Sequence, residues 1–126
     1  MEEKSNITNA EMKVMSQIWA REKMISVPEM AAILNEEGEE WAYATVATLL
    51  RRLQKKGFLM SMKTEFKLLY YPLITKAQYE KSEARGFVEN KFNGSLKNFL
   101  VAFTGNKTLN KDEIKELKEW LDEFDH

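Results

Sequence analysis

The chain has 126 residues, no cysteine and a single histidine, with 19 lysine or arginine side chains against 20 aspartate or glutamate. Hydrophobic residues make up 44% of it, including 3 Trp, 4 Tyr and 7 Phe, which is enough apolar material for a packed core and argues against disorder. Disulfides, thiolate metal sites and cysteine catalysis are excluded together, and the lone His126 cannot assemble a zinc site.

No apolar run approaches the roughly 20 residues that a membrane span needs. The N-terminus, MEEKSNITNAEM, is acidic and polar, unlike a signal peptide, so a cytoplasmic protein without membrane insertion is expected. The phosphate-binding patterns GxGxxG and GxxxxGK[ST] and the nucleophile elbow GxSxG do not occur. The paired acids Glu36-Glu37 and Glu39-Glu40 lie in a polar turn with nothing to desolvate them and read as solvated charge. The expectation is a non-enzyme with no cofactor and no metal.

In chain order, Thr8-Asn9-Ala10-Glu11 has the form of a capping box, and a first helix runs from it to about Glu22. Val14, Met15, Ile18 and Trp19 mark its buried stripe, with Trp19 a packing residue. Ser26-Val27-Pro28-Glu29 starts a second helix, with Ser26 as N-cap and Pro28 in the first turn, where its missing N–H costs little. Val27, Met30, Ala31 and Leu34 continue it. Asn35 to Glu40 then forms a polar turn containing Gly38.

A third helix begins near Ala42. Its apolar residues Val46, Leu49, Leu50 and Leu53 fall at i, i+3, i+4 and i+7, one stripe of an α-helix. The opposite side carries Ala44, Thr48, Arg51 and Lys55, with Thr45 and Arg52 at its edge. Small and hydroxyl-bearing at one end and basic at the other, such a face suits a major groove. A charged outer face is also the ordinary back of a core helix, so the case rests on what surrounds it. Gly57 supplies the positive φ that commonly ends a helix.

From Phe58 the sequence turns strand-like. Leu59, Ser61 and Lys63 share one parity and Phe58, Met60 and Met62 the other, while Leu68 to Tyr71 form the return strand and Pro72 ends it. The turn lies near Lys63-Thr64-Glu65-Phe66 without an Asn-Gly or Asp-Gly signal, which leaves its register open. Lys63 and Lys67 flank the tip and are expected to meet phosphates. Two helices joined by a short Gly-containing turn, followed by a basic hairpin, spell a winged helix-turn-helix.

Charge is distributed unevenly. Between Ala42 and Tyr71 there are six bases (Arg51, Arg52, Lys55, Lys56, Lys63, Lys67) and one acid (Glu65), whereas residues 1–41 hold four bases and nine acids. A phosphate backbone meets the local field rather than the net charge.

Three further helices are expected: Thr75 to about Phe92, Ser95 to Phe103, and Lys111 to about Phe124, with Ser95 and Asn110 or Thr108 as caps. Phe87, Val88, Phe92, Leu96, Phe99, Leu100 and Phe103 form an apolar set too large for three short helices to bury alone. The last helix adds Ile114, Leu117, Trp120, Leu121 and Phe124. A helical dimerisation region, each chain covering the other's apolar face, is the economical explanation. The fold class is therefore mainly α with a small antiparallel β-wing. A winged helix-turn-helix DNA-binding domain over 1–73 precedes a helical dimerisation region over 74–126. The predicted interface comprises Phe87, Phe92, Leu96, Phe99, Leu100, Phe103, Ile114, Leu117, Trp120 and Leu121.

The blocks Ile7-x-x-Ala10-Glu11-x-x-Val14-Met15-x-x-Ile18-Trp19, Thr45-Val46-x-Thr48-Leu49-Leu50-x-Arg52-Leu53-x-Lys55-Lys56-Gly57-Phe58 and Tyr70-Tyr71, with Trp41, resemble the penicillinase-repressor family (the BlaI, MecI and CopY type) over nearly the whole chain. The resemblance implies a homodimeric repressor that binds a palindromic double-stranded DNA operator. It puts Thr45, Thr48 and Arg52 at operator-reading positions, within a predicted DNA-binding set of Tyr43, Ala44, Thr45, Thr48, Arg51, Arg52, Lys55, Lys63 and Lys67. It further implies derepression by a membrane sensor protease that cleaves the C-terminal helical region. The bond corresponding to the family's Asn-Phe site is Ala102-Phe103, a departure at the first residue. The copper-responsive mechanism needs cysteines and is excluded. Ala44 and Ala47 stand where resistance regulators of the family carry basic residues, and Ala42-Tyr43 where they have Ser-Pro, so the operator does not carry over. A protein-interaction module and a ligand-responsive regulator are the alternatives.

Overall fold

The computed structural model describes residues 7–105 and 109–123. The chain divides into two compact units, Met1–Glu80 and Lys81–His126.

In the first unit each helix starts where a side chain can satisfy its open N–H groups. α1 (Asn9–Arg21) begins with a complete capping box between Thr8 and Glu11. α2 (Val27–Glu36) begins with another between Ser26 and Glu29, with Pro28 in the first turn. In α3 (Tyr43–Lys55) the N-cap is Ala42, and no side chain caps it. α2 and α3 stop in the same way. Gly38 (φ 97°) and Gly57 (φ 92°) reverse the chain in a conformation that costs other residues a Cβ clash. The following residues then return their N–H groups into the helix: Glu39 to the Leu34 carbonyl at 2.9 Å, and Phe58 to that of Leu53 at 2.9 Å.

The core gathers one stripe from each helix. Val14, Met15 and Ile18 of α1 meet Met30 and Leu34 of α2 and Val46, Leu49, Leu50 and Leu53 of α3, closed by Ile25, Phe58, Leu59 and Tyr70. Each such side chain contributes about 1.5–3 kcal/mol of transfer free energy.

The wing has three strands rather than two. β1 (Ile25–Ser26), β2 (Leu59–Lys63) and β3 (Leu68–Pro72) form an antiparallel sheet in the order β1-β3-β2. Ile25 pairs with Tyr70 and Ser26 with Leu69, while Leu59 pairs with Pro72 and Lys63 with Leu68. This register fixes the faces. Leu59 and Tyr70 are buried on one parity, and Met60 and Met62 are exposed on the other.

α4 (Lys76–Lys91) starts at Thr75, which exchanges hydrogen bonds with Gln78. In the second unit, α5 (Leu96–Thr104) is capped by Ser95 and α6 (Lys111–Asp122) by a capping box between Asn110 and Glu113. Thr108 and Phe124 lie outside the described residues. Phe87, Phe92 and Phe99 contact one another with ring centroids 5.6–5.9 Å apart, and Phe103 stacks on Phe99. Even so, none of the described residues of α4, α5 or α6 is buried.

Candidate nucleic-acid interface

With Val46, Leu49, Leu50 and Leu53 sunk in the core, α3 is anchored along one side and its other side is fixed by the helical period. Tyr43, Ala44, Thr45, Arg51, Arg52 and Lys55 are all exposed. Thr48, expected on the open face, is half-buried, and its Oγ1 accepts a hydrogen bond from Arg51 Nη2 at 3.2 Å. The helix therefore presents a ridge of small and hydroxyl side chains leading into two arginines and a lysine. Its backbone at Ala42 is extended (φ −67°, ψ 153°), the geometry of an N-cap without the side chain to complete it.

The hairpin following α3 carries Lys63 and Lys67, both exposed, at the two ends of its tip. No Asn-Gly dipeptide closes it, and neither Glu65 nor Phe66 has a positive φ. A side chain closes it instead. Thr64 N–H donates to the Lys67 carbonyl at 2.7 Å, and Lys67 N–H donates to Thr64 Oγ1 at 3.0 Å. The Thr64 hydroxyl also lies 3.2 Å from the Lys67 carbonyl.

One of the six basic residues of this region does not belong to its open surface. Lys56 Nζ lies 2.6 Å from Glu11 Oε1, with the Glu11 side chain 1% exposed and that of Lys56 21%. Glu11 Oε1 also accepts the Thr8 N–H at 2.9 Å, while Oε2 is buried with no hydrogen-bond partner among the described residues. Burial pushes the Glu11 carboxyl up. The Lys56 ammonium and the Thr8 backbone outweigh that effect and hold it below its ordinary value. This pair joins the start of α1 to the residue between α3 and β2. Sequence reading gave Glu11 a capping role alone. The missed signal is periodic: Glu11 occupies the first place of the stripe that continues through Val14, Met15 and Ile18.

Other contacts hold the frame. Trp19 Nε1 donates to the Ile74 carbonyl at 3.0 Å and its ring meets that of Tyr79, consistent with a packing role. In the acidic turn before α3, Glu39 is held by Lys13 at 2.7 Å. Among the described residues no group of three or more His, Cys, Asp or Glu side chains could hold a metal ion, and no helix is long and apolar enough to cross a membrane.

The residues expected at a dimer interface lie on α4, α5 and α6, except Phe92, which falls in the connection between α4 and α5. Phe87, Leu96, Leu100, Phe103, Ile114, Trp120 and Leu121 are exposed there, and Phe92, Phe99 and Leu117 are half-buried. Ala102 and Phe103 are exposed in the last turn of α5, just before Gly105.

A family model described as penicillinase repressor matches residues 7–123. The chain is 32% identical to the penicillinase repressor of Bacillus licheniformis over 117 residues, 93% of this chain and 90% of that one. It is 29% identical to the methicillin resistance regulatory protein MecI of Staphylococcus aureus over 115 residues, 91% and 92% of the two chains. Among solved structures, the DNA-binding domain of the repressor BlaI superimposes with a TM-score of 0.53 at 33% identity, covering 63% of this chain and 94% of that chain. The monomeric form of Bacillus licheniformis BlaI in complex with the blaP half-operator gives 0.51 at the same identity and coverage.

Proposed function

The chain belongs to the penicillinase repressor family, and we propose that it acts as a cytoplasmic, homodimeric transcriptional repressor that reads double-stranded DNA with α3. The observation that carries this reading is the exposed face of α3, where Tyr43, Ala44, Thr45, Arg51, Arg52 and Lys55 stand out from a buried stripe beside a lysine-flanked wing. Short side chains at the start of the helix let its backbone approach base edges, and Arg51 and Arg52 reach bases or phosphates. Thr48, tied to Arg51, positions that guanidinium as much as it contacts DNA. Lys55, Lys63 and Lys67 supply phosphate contacts. Residues 1–73 serve as the DNA-binding part and 74–126 as the dimerisation part, with two recognition helices set on a two-fold operator. The role is regulatory rather than enzymatic.

Derepression by cleavage at Ala102-Phe103 is supported by the exposure of both residues and by their place at the end of a helix. A last turn opens at lower cost than a helix interior, and a protease needs an extended strand of substrate. The enzyme would be a membrane sensor protease. A ligand-responsive alternative has its own observation: an open cleft of about 450 Å3 lined by Ile18, Trp19, Pro72, Leu73, Ile74 and Lys76, within the usual size of a small-molecule site.

The test is binding to fragments selected from genomic DNA. Arg52→Ala is expected to lower specific affinity by about 1–3 kcal/mol, and Lys63→Ala to weaken all sequences alike and reduce the salt slope by about one. Operator binding left intact by Arg52→Ala would remove α3 as the reading helix.

A further inference from the structure

The wing tip carries a residue that a phosphate-binding loop does not need. Phe66 is 87% exposed, the most exposed of the large hydrophobic side chains described. A single exposed apolar side chain is ordinary in itself. Its setting is not: Phe66 sits at the apex of a tip fastened by the Thr64 and Lys67 hydrogen bonds, with Lys63 and Lys67 on either side. Behind the tip, the Lys63–Leu68 pair continues a sheet rooted in the core by Leu59 and Tyr70. The ring is thus held out on an ordered support whose two ends carry exposed lysines.

We infer that the wing tip enters the minor groove of DNA beside the site read by α3, with the Phe66 ring against the groove floor and Lys63 and Lys67 at the phosphate walls; the inference rests on the DNA-binding reading above. The minor groove is narrow, about 6 Å, and bounded by phosphates on both sides, which matches one ring flanked by two ammonium groups. Proteins that bind this groove frequently place apolar side chains in it, as wedges between base steps; a ring resting on the floor makes the same apolar contact without unstacking the bases. Guanine places an exocyclic amino group on the groove floor and adenine does not. An apolar ring can satisfy no donor, so Phe66 selects A·T pairs there. Phe66 is then a specificity-determining residue for bases that α3 does not touch. Glu65, the single acid of the wing, opposes entry.

The test is a selection from a randomised duplex library with the full-length wild-type chain and with Phe66→Ala, followed by affinity measurements on the wild-type consensus duplex. The wild type is expected to return a core read by α3 flanked by A·T-rich segments, and Phe66→Ala the same core without the flanking preference. On the wild-type consensus, Phe66→Ala should bind about tenfold more weakly, and Glu65→Gln should bind more tightly. Placing G·C pairs in the flanks should weaken the wild type and leave Phe66→Ala unchanged. Melting temperatures should coincide, because the ring is outside the core. The same consensus and affinity for both proteins would overturn the inference. So would an affinity loss with the flanking preference retained, since Phe66 would then act elsewhere. Failure of the wild type to return any consensus would overturn the DNA-binding reading itself.

Discussion

The two units of this chain solve the problem of burial differently. In the first, every helix gives its apolar stripe to a common core, and Val14, Met15, Met30, Val46, Leu50, Leu53 and Leu59 are sealed from solvent within one chain. In the second, α5 and α6 are just as well capped and as amphipathic, and the rings of Phe87, Phe92, Phe99 and Phe103 find one another, but nothing described there is buried. Phe103 remains 74% exposed. Capping decides where a helix begins; it does not supply the free energy that holds short helices together, which comes from burial. The first unit is complete in one chain. The second leaves large apolar side chains exposed, and the proposed homodimer is what would cover them.

The largest effect that would break this contrast lies at Glu11. Glu11→Ala removes the carboxylate that accepts from Lys56 and from the Thr8 N–H and should destabilise the first unit by about 1.5–3 kcal/mol, read as a lower urea midpoint. Replacing Glu11 and Lys56 together with apolar residues of similar volume should restore much of the loss, because a well-packed apolar pair needs no compensating charge. Equal damage from the single and double changes would show that the ion pair is not what matters there.

Acid should sharpen the contrast. The folded-state pKa of Glu11 is held below its ordinary value, so its contribution is complete above that value and disappears as the pH falls through the depressed one. Glu29 has the same sign, lowered first by the Ser26 backbone hydrogen bond. The first unit should therefore lose stability on acidification below the usual carboxylate range, and Glu11→Gln should flatten the dependence in a denaturant series at several pH values. A pH profile unaltered by Glu11→Gln would contradict the assignment.

The smallest effect is expected at the one helix of the first unit that begins without a side-chain cap. Ala42 already has extended backbone geometry, so Ala42→Ser should complete the cap of α3 and raise thermal stability by about 1 kcal/mol. No gain would mean that the end of α3 is satisfied in another way.

Much of this was legible in the sequence, for identifiable reasons. Thr8, Ser26, Ser95 and Asn110 announced helix starts because capping chemistry is local, and Gly57 announced the end of α3 for the same reason. What escaped was non-local or doubled in role. β1 is two residues long, too short to alternate, and Ser26 serves both as its end and as the cap of α2. The hairpin tip is closed by a threonine side chain rather than by a dipeptide with positive φ. Lys56 counts as surface charge until its partner, 45 positions away, is known. Residue type placed the α3 face correctly except at Thr48, whose neighbours half-cover it.

Whether a second copy covers the apolar residues of the second unit is tested by sedimentation equilibrium of the full-length chain at micromolar concentration. A species of twice the 14.8 kDa chain mass is expected, dissociating on dilution together with loss of helical signal. A monomer that keeps its full helical signal across the whole concentration range would contradict the proposed homodimer.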